Sequence, residues 1–173
     1  LPCWESADAI CQYFPDEPPA PTLPGPVCPQ NGIASMTKPG TCYYVLGQRQ
    51  SFKSARNACQ ALDTGFTHND LFVPRTLAEF EELGAILVNQ NSRSSTWLGL
   101  TSSDDNWGWI AGRSSNISEM WCVGQSDTSQ NSNDQCGYVG SPSHSGSRLC
   151  WTAGDCTDSY TAYAAICQSS NTF

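Results

Sequence analysis

Positive charge is scarce in this chain: eight Lys plus Arg stand against sixteen Asp plus Glu among 173 residues, a formal charge of −8. So few cations leave little to release counterions from a phosphate backbone or to hold an anionic bilayer, so neither nucleic acid nor a membrane surface is expected as a partner. Histidine is nearly missing too, with two residues, and there is no Gly-x-Ser-x-Gly, no Gly-rich phosphate loop and no His-Glu-x-x-His, so an enzyme is not expected. The adjacent pair Glu81-Glu82 falls in a helical pattern, where neighbouring side chains diverge rather than flank a substrate. No apolar run reaches the roughly 18 residues of a membrane span, so membrane insertion is not expected either. The chain starts Leu1-Pro2-Cys3 with neither Met nor a basic-then-apolar leader, which reads as a mature product whose signal peptide is gone.

What the chain does have is ten cysteines. Their even number and wide spacing suggest a framework of bridges, hence an oxidising compartment and a secreted protein. Metal ligation or free thiols are the alternative, but no Cys-x-x-Cys occurs, and only Cys150 and Cys156 have a metal-like spacing. Residues 1–14 hold Cys3 and Cys11, and one bridge between them is the simplest pairing for a small N-terminal element. Prolines crowd the next stretch, which runs to residue 27. Proline has no backbone donor and keeps its predecessor out of the helical region, so 15–27 reads as an extended linker. The main domain then covers 28–173, long enough to bury a core.

Within it, Cys28 and Cys42 enclose the turn signal Pro39-Gly40, and Cys42-Tyr43-Tyr44-Val45-Leu46 has strand character, so a hairpin clipped at its base is the economical reading. Ser51 can cap a helix in which Phe52, Ala55, Cys59 and Leu62 recur at helical spacing, with Gly65 beyond its end. Thr76 and Glu79 form a capping-box pair for a second helix whose apolar stripe is Leu77, Phe80, Leu83 and Leu87. Trp97-Leu98-Gly99-Leu100 reads as a buried strand and Trp107-Gly108-Trp109-Ile110 as a strand leaving a turn. From Gly112 to about Arg148 no period of either kind persists, and a connection that long is expected to be a functional loop, pinned here by Cys122, Cys136 and Cys150. Tyr160 to Cys167 fits a closing strand.

This order of elements resembles the C-type lectin-like domain. The residues that carry the resemblance are Cys59, Leu71 and Val73, the Trp97–Leu100 strand, Trp107, Trp109, Gly112, Trp121, Cys136, Trp151, Cys156 and Cys167, and it covers roughly residues 28 to 169. It implies an α+β fold of the C-type lectin-like kind, with two helices, two small antiparallel sheets and a long disulfide-pinned ligand loop. It also implies pairing of Cys59 with Cys167, Cys136 with Cys156 and, in the long form of the domain, Cys28 with Cys42. Cys122 and Cys150 then remain for each other, an extra loop bridge similar to that of the fish type II antifreeze proteins.

Members of the family that bind sugar do so through a calcium ion whose oxygen ligands also hydrogen-bond a diol. The galactose-type Gln-Pro-Asp has its counterpart in Gln125-Ser126-Asp127, and a further acid in Asp134, so Gln125, Asp127 and Asp134 are the candidate metal and glycan ligands. Two departures mark the site as degraded. Ser126 replaces the proline whose cis bond orients both neighbours, and a cis bond there would cost about 2.5–4 kcal/mol. The family's Trp-Asn-Asp is Trp151-Thr152-Ala153, which leaves Thr152 as a weak donor and Ala153 as none. A displaced cation site could use Asp104, Asp105 or Asp155. Trp121, Tyr138, Trp151 and Tyr160 are aromatics available for direct contact with a partner, whereas Trp107 and Trp109 are expected in the core and His68 and His144 in solvent.

The leading expectation is an extracellular domain binding glycans through this loop, with calcium as its one candidate cofactor. The alternatives are a calcium-independent module for an extracellular protein and a structural, ice- or mineral-binding role. Asn116-Ile117-Ser118 is a glycosylation sequon in the loop region, which would make the chain a glycoprotein.

Overall fold

The structure, a computed structural model, describes residues 27–90, 94–103, 106–112, 120–123, 135–140, 149–157 and 163–171. The N-terminal element with Cys3 and Cys11, and nearly all of the linker, lie outside them.

The hairpin forms as the turn signal requires. Strand β1 (Ile33–Ala34) pairs antiparallel with β2 (Thr41–Gln50), Gly40 takes φ +79°, and Cys28 is bonded to Cys42. A positive φ costs a glycine little, and this is what the Pro39-Gly40 dipeptide supplies. Helix α1 (Phe52–Gln60) starts at Ser51, whose hydroxyl accepts from the Ser54 amide at 3.4 Å, and it buries Phe52, Ala55 and Cys59. Its outer face carries Arg56, whose guanidinium grips Asp70 through Nε and Nη2, both at 3.1 Å. Asp70 belongs to β3 (His68–Leu71), a strand that its polar His-Asn-Asp start hides from any propensity argument.

Helix α2 (Leu77–Asn89) departs from expectation in two ways. Thr76 does accept from the Glu79 amide at 3.2 Å, but the Glu79 carboxylate accepts from Arg75 rather than returning to Thr76, so only half of the capping box forms. The buried face holds Phe80, Leu83, Ile86 and Leu87, while Leu77 is 42% exposed and Glu79 and Glu82 are buried. Helical geometry explains the exchange: at ~100° per residue, Leu77 lies about 120° from Leu83, and Glu79 only about 40° from it.

Strands β4 (Thr96–Ser103), β5 (Asn106–Trp109), β6 (Gln135–Val139), β7 (Trp151–Asp155) and β8 (Tyr163–Ser170) complete the set. Instead of standing as two separate sheets, the two antiparallel groups join. β1, β2, β8 and β3 form one group and β5, β4, β6 and β7 the other. A two-residue parallel seam, Thr96 with Ala164 and Trp97 with Ala165, makes them continuous. The closing strand runs three residues past Cys167, because Gln168, Ser169 and Ser170 pair with β2 on one edge and β3 on the other. β6 falls inside the stretch that looked irregular. With β4 on one edge and β7 on the other, it buries Cys136 and Gly137 in succession, so no alternation betrays it.

Alternation along β2 divides the core between two faces. Cys42 and Tyr44 join Phe52, Cys59, Leu71, Val73 and Trp97 on the α1 side. Tyr43 joins Phe72, Phe80, Leu83, Leu87, Val139, Trp151 and Ile166 on the α2 side. Trp97 is fully buried, with its indole N–H donating to the Gln50 carbonyl at 2.9 Å. Gly99 is required beside it, since a Cβ there would lie 2.8 Å from both Ile110 and Val73.

Candidate binding site

The chain returns from the long loop as β6, and it enters that loop at the opposite, outer edge of β7. There the Cys122 amide donates to the Trp151 carbonyl at 2.9 Å and the Trp151 amide to the Met120 carbonyl at 2.8 Å, so residues 120–122 lie beside β7 as a short parallel rung. One covalent link reinforces this seam, Cys122–Cys150, with Cα atoms 5.0 Å apart, and a second, Cys136–Cys156, at 5.1 Å, ties β6 to the end of β7 on the other edge. With Cys28–Cys42 and Cys59–Cys167 they make the four bridges the resemblance implied within the described residues. The Cys3–Cys11 pairing lies outside them.

Four tryptophans pack under the seam. Trp121 meets Trp107 at a centroid distance of 4.8 Å, and Trp151 meets Trp109 and Phe80, both at 5.3 Å. Trp151 is therefore a core residue, 2% exposed, and the expectation that its ring faces a partner is corrected. The reason is its register: it opposes Val139 of β6 and points to the α2 side, where Phe80 and Leu83 already form an apolar floor. Trp121 and Tyr138 are half-buried; Tyr138 stacks at 4.3 Å on Tyr163 and edge-on to Trp97 at 5.9 Å. Trp107 and Trp109, expected in the core, pack against it while half-buried. The indole N–H groups of Trp107 and Trp151 are buried without an acceptor among the described residues.

Thr152 donates its hydroxyl to Cys122 Sγ at 3.4 Å, and the next side chain, Ala153, is a methyl. The β7 end of the expected calcium cage thus presents one hydroxyl, already engaged, and no carboxylate or amide. That set does not suit an ion wanting six to eight hard oxygens. Asp155, a candidate for a displaced site, has its Oδ1 taken by the amide and hydroxyl of Thr157 at 2.7 and 2.8 Å. Among the described residues no three His, Cys, Asp or Glu side chains converge on a metal-sized site. Gln125, Asp127 and Asp134 lie outside the described residues, as do Asp104, Asp105, Asn116, His144 and Tyr160. Trp121, Trp151 and Thr152 are brought together at the seam; Tyr138 sits on the far side of β6, nearer the α1 core.

Sequence reasoning missed a buried polar cluster that joins distant parts of the described fold. Glu82, 5% exposed, accepts from Ser35 Oγ at 2.8 Å, from Thr37 Oγ1 at 2.5 Å and from the Met36 amide. Tyr43 donates its hydroxyl to Ser35 Oγ at 3.3 Å, and burial, with Glu82 and Glu79 nearby, pushes its phenol far above the usual range. The cluster ties the hairpin turn to α2. Its only trace in the sequence is an acid on an apolar helical face.

Comparison with known proteins adds the following. The family model for the Lectin C-type domain matches residues 48–169. Human lithostathine superimposes with a TM-score of 0.67 at 22% identity, over 84% of this chain and 92% of that one. The carbohydrate-recognition domain of the human scavenger receptor C-type lectin gives 0.62 at 23%, over 83% and 99%. A Ca2+-dependent type II antifreeze protein, in its Ca2+-free form, gives 0.58 at 22%, over 83% and 100%. Identities this low speak for the fold alone, and no curated protein sequence matches the chain. With the family model covering most of its length, the chain belongs to the C-type lectin domain family.

Proposed function

We propose that this chain is an extracellular recognition domain that takes its partner by direct contact with the long loop that runs from the bridged Cys122 to β6, without a calcium ion at β7. The observation that carries this reading is the pair Thr152-Ala153: one side chain is spent on Cys122 and the other has no oxygen. A loop stiffened before binding loses less conformational entropy when it engages, which favours a surface that selects by shape and hydrogen bonding. Four bridges and the absence, among the described residues, of any helix long and apolar enough to cross a membrane are consistent with work outside the cell. An extracellular protein is the partner class this favours.

A second reading, glycan binding through Gln125, Asp127 and Asp134, rests on the galactose-type match at those positions. The two separate on a calcium titration followed by melting temperature. Metal that binds only the native state must stabilise it, by about 2.7 kcal/mol at 100 times Kd. The direct-contact reading expects no shift at millimolar calcium and partner binding indifferent to chelation. A rise of several degrees, or glycan-array binding abolished by chelation, would reinstate the metal-dependent lectin.

A further inference from the structure

The open edge of β2 holds a notch that the chain's own N-terminal segment is suited to fill. β1 covers β2 only at Cys42 and Tyr43. Beyond that point no described strand pairs with β2 on this side. Thr41 points its carbonyl at β1, accepting from the Ser35 amide at 2.9 Å, so by alternation Val45 and then Gly47 turn their backbone groups to the uncovered edge. At this edge lies a cavity of about 310 Å³. Its lining wraps the edge: Ile33 and Val45 pack with the α2 side of the core, Leu46 and Leu62 with the α1 side, and Asn31 and Gln90 add polar groups. An apolar lining beside an unpaired strand edge is an unfinished surface, the kind that edge protection normally covers.

We propose that residues 1–14 of the same chain dock in this notch, setting Trp4, Tyr13 and Phe14 against Ile33, Leu46 and Leu62 beside the open edge of β2. Three observations select this occupant. First, a 14-residue element is far too short to bury a core of its own, so its five large apolar side chains, Leu1 and Ile10 included, need an outside surface. Second, the tether is rooted at the rim: Asn31 lines the cavity only four residues after Val27. Residues 15–27 can span roughly 40 Å at ~3.1 Å per residue, and a tether of that kind gives an effective concentration near the millimolar range. Third, the charges complement each other. Residues 1–27 carry Glu5, Asp8, Asp16 and Glu17 with no cation, whereas Lys53 is exposed on the first turn of α1, which follows directly on β2. The inference does not depend on what the loop binds.

The test uses the full chain. Hydrogen exchange of the Val45 and Gly47 amides and the methyl shifts of Ile33, Leu46 and Leu62 are compared between the wild type and the triple variant Trp4→Ala, Tyr13→Ala, Phe14→Ala. The variant leaves every residue from Cys28 onward in place, so a folding failure of the domain does not confuse the result. Docking requires at least a tenfold loss of protection at both amides and loss of the ring-current shifts on those methyls. In the reciprocal variant, Leu46→Arg, it requires faster proteolysis within residues 1–27. Signals unchanged by the triple variant would overturn the proposal, as would changes that scale with protein concentration, which would assign the notch to a second copy of the chain.

Discussion

The β2–β8 half of the fold and the β6–β7 half reach order by different means. Around β2 and β8, buried or half-buried polar side chains do the fixing: Asp70 holds Arg56 and Glu82 holds the 35–37 turn. Ser51 and Thr76 start the helices, and one bridge spans 108 residues. Around β6 and β7 the described residues show a short rung, four tryptophans and two bridges of separation 28 and 20. Where the chain has a helical or strand period, its own hydrogen bonds set the backbone. Where it is Ser, Asn, Gln and Gly, covalent closure substitutes for period. The lesson is that a strand edge with little local signal of its own can be held in place by bridges and aromatic packing.

Substitutions can break this contrast. The largest effect is expected from Cys59→Ala combined with Cys167→Ala. Loop entropy alone puts the loss near 4.8 kcal/mol, a fall in melting temperature of roughly 10–20 °C by calorimetry. Cys122→Ala with Cys150→Ala should lose less, up to about 3.6 kcal/mol in the same account. Its signature should be local, with faster amide exchange at Cys122 and Trp151 and little change in β2. Equal losses throughout the fold would erase the distinction between the halves. Glu82→Ala strands three donors of the hairpin turn, for about 2–3 kcal/mol. Exchange at the Met36 amide should report it while β7 stays protected.

Arg56→Ala removes a two-pronged grip on a carboxylate that is only 10% exposed, but the guanidinium itself is 36% exposed. Solvent screening therefore brings the expected loss to about 1–2 kcal/mol by denaturant titration. The smallest effect is on pH dependence. Burial raises the Tyr43 phenol above its unfolded value, so its contribution is complete below pH 10, the unfolded value, and is lost as pH rises beyond it. Tyr43→Phe should lower stability slightly at neutral pH and flatten the alkaline decline; an unchanged alkaline slope would place the sensitivity elsewhere.

The helices, the clipped hairpin and the Trp97–Leu100 strand were legible because caps, turn residues and apolar spacing act within a few residues of each other. The four bridges followed once the order of elements resembled a known family. Three strands were not legible. β3 begins His-Asn-Asp, β7 reads Trp-Thr-Ala-Gly-Asp, and β6 buries consecutive residues, so each owes its extended form to the ladder it joins. At the candidate site the sequence gives the side-chain chemistry of Thr152-Ala153 but not the burial of Trp151. An indole next to a loop cysteine looks equally suited to a core and to a ligand.

By itself the sequence determined where helices start, where the hairpin turns and which cysteines are available, because those signals are local and each residue carries its own. Only the tertiary structure decided that Trp151 lies inside, that Glu82 reaches a turn 47 residues earlier, and that a two-residue parallel seam joins the antiparallel groups. Burial is a property of what packs against a side chain, and those neighbours come from distant parts of the chain.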